Sequence, residues 1–264
     1  MKRLIVCIKQ VLDPEAPPSS FNIDPETKRA VAPKGVPPVL NPFDENALEA
    51  ALRIKDVHGG KVTVISMGRN LAKPVMMKSL AAGADELILL QDDIFEDVDS
   101  CFAAYALATA IKKLGEYDLV LCGREAADSN AGQVGSGIAE LLRIPSITIA
   151  AKVELSNGKI RVQRVVSDGY EVIEAPMPAL ITVTSELGEL RATTMKAIVE
   201  AKRKPIITWN AQDIGLDLSQ MRRSKLVRLF IPVREGPSCQ IVGGGSPEEA
   251  GANLALKLWQ NETI

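Results

Sequence analysis

The positions most able to do chemistry gather in one loop, Gly123-Arg124-Glu125-Ala126-Ala127-Asp128-Ser129-Asn130-Ala131-Gly132-Gln133-Val134-Gly135-Ser136-Gly137. It follows an apolar run, Leu119–Cys122, and leads into a helical pattern. Gly132, Gly135 and Gly137 let backbone and ligand approach closely, and the free N–H groups of a helix start attract an anion. A phosphate is one natural occupant. Small residues that let the helix pack on a sheet are an equal reading, and the motif alone leaves both open. The glycines run GxxGxG about ten residues past the strand, so this is not a Rossmann fingerprint. No GxxxxGK[ST] occurs, which removes a P-loop, and Gly243-Gly244-Gly245-Ser246 lacks a following lysine and reads as a turn.

A second loop, Val39-Leu40-Asn41-Pro42-Phe43-Asp44, carries helix-start signals: Asn at the cap, Pro at the first helical position, Asp two residues later. Beyond that structural role, the Asn41 side chain and the closeness of this loop to the first strand end make it a candidate site. His58 is the only histidine, which argues against a His-based metal site and against a Ser/His/Asp triad. Cys7, Cys101, Cys122 and Cys239 form no CxxC pair and read as buried free thiols in a reducing compartment. No nucleophile stands beside a base, so the pattern points to binding rather than hydrolysis or group transfer. No metal is expected.

These loops need a frame, and the 264 residues supply one: 46% are hydrophobic, 24% charged and only 4% aromatic. Ala, Val, Ile and Leu in that proportion suit helices packed on a sheet. A formal charge of −2 argues against a nucleic-acid partner, which would need a basic face. The start Met1 to Lys9 is too short in apolar residues for a signal peptide and reads as a first strand; with no run of membrane-spanning length, a cytoplasmic location is expected.

Short apolar runs at Leu4–Ile8, Val62–Ser66, Glu86–Leu90, Leu119–Cys122 and Ile147–Ala150 alternate with helical patterns. The helices run from Asn41 to Lys55, over Leu71–Ala82 and Ser100–Leu114, and over Gly132–Leu142. That alternation predicts an α/β fold: a mostly parallel, doubly wound sheet with helices on both faces. Ligands bind beyond the carboxyl ends of such strands, just after Ile8, Ser66, Leu90 and Cys122. After Ala151 a small β-meander follows, Lys152–Leu155, Ile160–Val166 and Tyr170–Glu174, with turns at Asn157-Gly158 and Asp168-Gly169. Ala179–Thr184 is one more strand and Thr194–Ala201 a short helix. The boundaries predicted are 1–210 for the α/β domain and 211–264 for an extended C-terminal arm. The arm ends in a helix opened by the capping box Ser246-Pro247-Glu248-Glu249, and it is expected to pack on a partner.

Taken in order, these segments resemble the electron transfer flavoprotein beta subunits. The resemblance lies in Val6-Cys7-Ile8-Lys9-Gln10-Val11, Asn41-Pro42-Phe43-Asp44-Glu45-Asn46-Ala47, Ala81-Ala82-Gly83-Ala84-Asp85, the run Asp118 to Asp128, Gln133-Val134-Gly135, Pro178 to Val183 and Met195 to Pro205. It covers roughly residues 1–210.

The resemblance implies a heterodimer with an alpha subunit that carries the redox FAD, and in this chain an adenosine site holding AMP or a second FAD. By position that site would use Cys7 and Ile8, Asn41, Pro42, Phe43 and Asp44, Ser66 and Met67. It continues through Gly123, Arg124, Glu125, Ala126, Ala127, Asp128, Ser129, Asn130, Ala131, Gly132, Gln133 and Val134. Amides around Ala131 to Val134 would hold phosphate, and Cys7 and Ser66 would flank the adenine. Gln133-Val134-Gly135 matches electron-bifurcating relatives, while Asn130 and Ser136 replace an acid and a proline. FAD is favoured over AMP, and bifurcation stays open. Arg191, Met195 and Ile198 fall where the family docks on flavin dehydrogenases, with Met195 as the anchor; a quinone-reducing membrane enzyme is a further partner. The competing reading is a universal-stress-type nucleotide-binding regulatory module without a redox role.

Overall fold

The computed structural model describes residues 2–17, 21–24, 26, 29–31, 35–156, 158–220, 224, 226–227, 229–230 and 239–261. The chain divides into two compact units, residues 1–228 and 229–264. In chain order the first unit runs β1 (Arg3–Ile8), β2 (Gln10–Val11), β3 (Asn22–Asp24), β4 (Arg29–Val31), β5 (Val39–Leu40), α1 (Pro42–His58), β6 (Lys61–Gly68), α2 (Lys73–Ala82) and β7 (Glu86–Gln91). Then come α3 (Ser100–Leu114), β8 (Leu119–Gly123), α4 (Val134–Leu142), β9 (Ser146–Ser156), β10 (Lys159–Val166), β11 (Gly169–Pro176), β12 (Ala179–Val183), α5 (Met195–Ala201) and β13 (Ile206–Trp209).

Nine strands form one sheet in the order β11-β10-β9-β12-β8-β1-β6-β7-β13. The stretch from β9 to β13 is parallel; β10 and β11 continue it antiparallel. The α/β reading is borne out, and the alternation of side chains explains the two layers. Leu4, Val6 and Ile8 of β1 face one core with Leu48 and Leu52 of α1 and Leu80 of α2. Ile5 and Cys7 face the other, with Phe102 and Ile111 of α3 and Ile138 of α4. A strand covered on both faces has no polar side, hence its continuous apolar run.

Several boundaries differ from expectation. Ile147–Ala150 and Lys152–Leu155 are one strand, β9, interrupted by an irregularity at Ile149. That residue sits at φ +60, and its amide donates to the Thr182 hydroxyl at 3.0 Å. A β-branched residue in the left-handed region is strained, and the displaced register is what carries the parallel strand on into the meander. The meander is therefore an extension of the main sheet, although Asn157 of its first turn lies outside the described residues. Helix α4 begins at Val134, not Gly132, because Gly132 lies at φ +61. β13 and the two-stranded pairs β2–β5 and β3–β4 were not anticipated. Ala211, Ile214 and Leu216 are buried in the core beneath α3, so this part of the expected arm belongs to the first unit.

The second unit holds α6 (Pro247–Gln260). Ser246 caps it, accepting from the Glu249 amide at 3.3 Å, and the Glu249 carboxylate reaches back to the Gly245 amide at 2.7 Å. The expected capping box is present, closed one residue earlier than its standard form. Leu254, Leu256 and Trp259 are exposed on it. Part of the stretch preceding α6 lies outside the described residues. Among the described residues no helix is long and apolar enough to cross a membrane.

Candidate functional site

A cleft of about 750 Å³ lies in the first unit, beyond the carboxyl ends of β1, β6, β7 and β8. Small-molecule sites fall in the range of ~300–1,000 Å³. Sequential strands leave β1 in opposite directions: β6 and β7 to one side, β8 and β12 to the other. The cleft thus sits at a topological switch point, where two neighbouring strand ends part and leave a crevice.

Two buried side chains shape it. Asn41 precedes α1 but makes no cap bond to it. Its Nδ2 donates instead to the Glu125 carbonyl at 2.8 Å, and its Oδ1 accepts from the Ala127 amide at 3.0 Å. Asp44 accepts from the Lys9 amide at 2.7 Å and from the Gly123 amide at 3.0 Å, bolting the ends of β1 and β8 together. Burial pushes the Asp44 carboxyl up to about 7, against the hydrogen bonds from Lys9, Asn41 and Gly123 and the Lys9 charge. A side chain at Gly123 would collide with this bolt, its Cβ lying 2.6 Å from the Phe43 carbonyl carbon.

The loop glycines divide by role. A Cβ on Gly135 would lie 2.6 Å from the Thr182 Cγ2, and one on Gly137 2.8 Å from the Ala104 Cβ, so these two serve packing. Gly132 serves conformation: at φ +61, after Asn130 at φ +48, it turns the chain into α4, and its Cβ would meet only the Arg124 carbonyl oxygen at 3.6 Å. The packing reading therefore holds at Gly135 and Gly137, while Gly132 shapes the turn. The α4 start lines the cleft through Gln133, Val134 and Gly135, placing first-turn N–H groups where an anion could meet them. The chain's residues thus fit a phosphate-bearing ligand.

Of the residues named from sequence, Cys7, Ile8 and Met67 line the cleft at the strand ends, and Asn41 and Asp44 behind them. Gly123, Arg124, Glu125 and Ala126 form its near wall, followed by Ser129, Ala131, Gly132, Gln133 and Val134. Pro42, Phe43, Ser66, Ala127, Asp128 and Asn130 are not in the lining. Phe43 carries the Arg124 guanidinium 4.9 Å above its ring, and Asp128 pairs with Lys9 at 2.7 Å. Ser66 is fully buried, and its Oγ has no hydrogen-bond partner among the described residues. Cys7 and Cys122 are neighbours across β1 and β8. Contact with the Cys7 thiol, then burial, holds the Cys122 thiol well above its ordinary range.

The end of β7, after Leu90, was one of the strand ends where a ligand was expected, but no residue of the far wall was named for the site from the sequence. That wall comprises Phe95, Asp97, Val98 and Asp99 between β7 and α3, with Ser100 and Cys101 in the first turn of α3. Asp99 caps α3 through the Phe102 amide at 2.8 Å, and its other oxygen accepts from the Ser224 amide at 2.8 Å, drawing Ser224 to the cleft.

The docking candidates divide too. Arg191 donates to Glu49 at 3.0 and 3.2 Å and to Asp56 at 2.8 Å, latching its segment onto α1. Met195 is 78% exposed, and Ile198 and Val199 are exposed beside it.

Asn41→Ala is expected to cost about 1–3 kcal/mol of stability, since a buried amide and a carbonyl lose their partners. Chemical denaturation measures it; an unchanged midpoint would show that the loop does not depend on Asn41.

Residues 29–214 match the electron transfer flavoprotein domain. The chain is 43% identical to the electron transfer flavoprotein subunit beta of Thermoanaerobacterium thermosaccharolyticum, over 99% of each chain. It is 39% identical to the caffeyl-CoA reductase-Etf complex subunit CarD of Acetobacterium woodii, over 99% of this chain and all of that one. To the protein FixA of Azorhizobium caulinodans it is 36% identical, over 96% of this chain and 92% of the relative. These similarities support electron transfer and not a stand-alone regulatory module. The chain belongs to the electron transfer flavoprotein family, among its beta subunits.

Proposed function

We propose that the cleft binds an adenine nucleotide, FAD in preference to AMP, within a heterodimer with an electron transfer flavoprotein alpha subunit. The observation that carries this reading is the cleft at the switch point between β1 and β8, with the start of α4 in its wall. In it, the first N–H groups of α4 and the Gly132 turn meet phosphate. Cys7, Ile8 and Met67 offer a mostly apolar floor to a base. Asn41 and Asp44 hold the wall in shape, and the buried Ser66 hydroxyl lies next to Met67 with a bond to give. A flavin, when bound, supplies the electron chemistry; the chain binds it, orients it and shields it from water. The free Cys7 and Cys122 thiols suit a reducing, cytoplasmic compartment. The exposed Leu254, Leu256 and Trp259 of α6 support an arm that packs on the alpha subunit.

The test is to purify the complex with its alpha subunit, denature it and identify the released nucleotide. Two FAD per heterodimer is the expected result. One FAD with one AMP would change the ligand and keep the site, while FAD alone at one per heterodimer would overturn the reading.

The complex is further proposed to carry electrons between flavin dehydrogenases and an acceptor, such as a quinone-reducing membrane enzyme, docking through Met195 with Ile198. Met195→Ala should leave folding and nucleotide content intact and slow electron delivery, because a buried interface anchor contributes roughly 1–3 kcal/mol. Unchanged rates in a coupled dehydrogenase assay would remove the docking role.

A further inference from the structure

We propose that Cys7 and Cys122 form a reversible disulfide across the floor of the cleft, a redox-modification site whose reagent is hydrogen peroxide or another small hydroperoxide. The two residues are directly registered Cα partners on β1 and β8. Neighbouring strands lie about 4.8 Å apart, inside the ~4.4–6.8 Å Cα separation that a disulfide requires. Both side chains point to the same face of the sheet, into the core beneath α3 and α4. Each is only 6% exposed, yet both line the cleft, so a solute the size of peroxide reaches them where a protein thiol does not. The other two cysteines, Cys101 and Cys239, are exposed. Neither is a registered neighbour of this pair in the sheet.

The chemistry closes without any further group. The Cys7 sulfur attacks one oxygen of the peroxide, the O–O bond breaks, and hydroxide leaves as water after taking a proton. Cys7 is then a sulfenic acid. The Cys122 sulfur attacks the Cys7 sulfur, the S–O bond breaks, and the Cys122 proton leaves with the hydroxide as a second water. Two thiols lose two electrons and two protons; one peroxide becomes two waters. Cys122 suits the second role, because a thiol held in its protonated form is a poor first attacker. A dithiol reverses the step by exchange.

Ile8, Lys9 and Gly123 follow the two cysteines directly, and Asp44 ties Lys9 to Gly123. Drawing the sulfurs together therefore alters the same strand ends that floor the cleft. Oxidised chain should hold nucleotide more weakly, and bound nucleotide should shield the thiols; this coupling rests on the nucleotide reading above, while the disulfide itself does not.

The experiment treats the reduced alpha–beta complex with hydrogen peroxide, blocks remaining thiols, and maps tryptic peptides without reduction. The expected product links the peptide of Cys7 to that of Cys122, is lost on adding dithiothreitol, and is absent in Cys7→Ser and Cys122→Ser complexes. Peroxide acting only as sulfinic or sulfonic acid at these positions would overturn the proposal, as would linkage of either cysteine to Cys101 or Cys239. Repeating the treatment with excess FAD or AMP separates the two readings. A link that forms at least tenfold more slowly supports both. A link that forms at the same rate keeps the disulfide and counts against the nucleotide placement.

Discussion

Replacing Gly135 with valine is expected to destabilise the fold, whereas replacing Gly132 with valine leaves the fold standing and removes the nucleotide. The two glycines are three residues apart in one motif, yet their surroundings differ. At Gly135 a Cβ would stand 2.6 Å from the Thr182 Cγ2 and 3.6 Å from both the Cys122 Cβ and the Leu180 Cδ2. Valine adds two further methyl groups into that contact. Overpacking of this kind costs roughly 1–3 kcal/mol or more, and here the neighbour cannot retreat freely. Thr182 sits inside β12, and its hydroxyl holds the displaced Ile149 amide. At Gly132 nothing lies closer than the Arg124 carbonyl oxygen, 3.6 Å away, so bulk is tolerated. The difficulty there is conformational: φ +61 costs an L-residue about 1–2 kcal/mol, and more for a β-branched one. An exposed loop relieves that strain by moving, and its movement takes the amides before α4 away from the phosphate. Melting temperature and bound adenine nucleotide per folded complex, measured on both variants, separate the effects. Full occupancy in Gly132→Val would defeat the placement of phosphate at this turn.

The stability of the chain should also fall between pH 5 and pH 8 through one group, Asp44. Its carboxyl is pushed up to about 7 by burial, from an ordinary value near 4. The folded state therefore prefers it protonated, while the unfolded chain ionises it earlier. The contribution is whole in acid and is lost as pH rises through the folded value. Over that interval the loss is about 3 kcal/mol, from roughly two pH units at about 1.4 kcal/mol each. Glu49, whose carboxyl is drawn down by Arg191, works with the opposite sign, so total stability alone is not the readout. The quantity to measure is the difference in unfolding free energy between the native chain and Asp44→Asn, which cannot ionise. That variant starts weaker, because an amide NH2 would face the Lys9 or Gly123 amide, but the gap should narrow as pH rises. A gap that stays constant from pH 5 to pH 8 would mean that Asp44 carries its charge throughout.

The layered sheet was legible because its strands are covered on both faces and so read as unbroken apolar runs. Val62 to Ser66 and Leu119 to Cys122 announce themselves in this way. β13 did not: Ile206 to Trp209 is an edge strand of four residues behind a basic cluster and Pro205, too short to separate from a turn. The near wall of the cleft showed through its glycines, but their two duties were indistinguishable until Thr182 and Ala104 appeared opposite Gly135 and Gly137. Sequence carries no record of which distant residue a small one must clear. Asn41 misled in the same manner. Its position before α1 is that of a cap, and its side chain is spent 84 residues away on the Glu125 carbonyl. The far wall stayed hidden because Asp97, Asp99 and Ser100 resemble any acidic helix start, and Ser224 reaches them from a stretch with no periodicity.

The position of β12 bears on how the molecule can be made. It lies between β8 and β9 in the sheet but is synthesised after both, and after β10 and β11. A growing chain that has reached Pro176 therefore carries β8 with one apolar edge open, and a three-stranded ribbon, β9 to β11, with another. Leu119, Val120 and Leu121 on one side and Ile147 on the other would pair readily, and such a pairing would close the sheet with a strand missing. Five buried residues, Ala179 to Val183, must arrive in time to occupy the gap. The last strand made in this half of the sheet thus has to enter between two edges that exist before it.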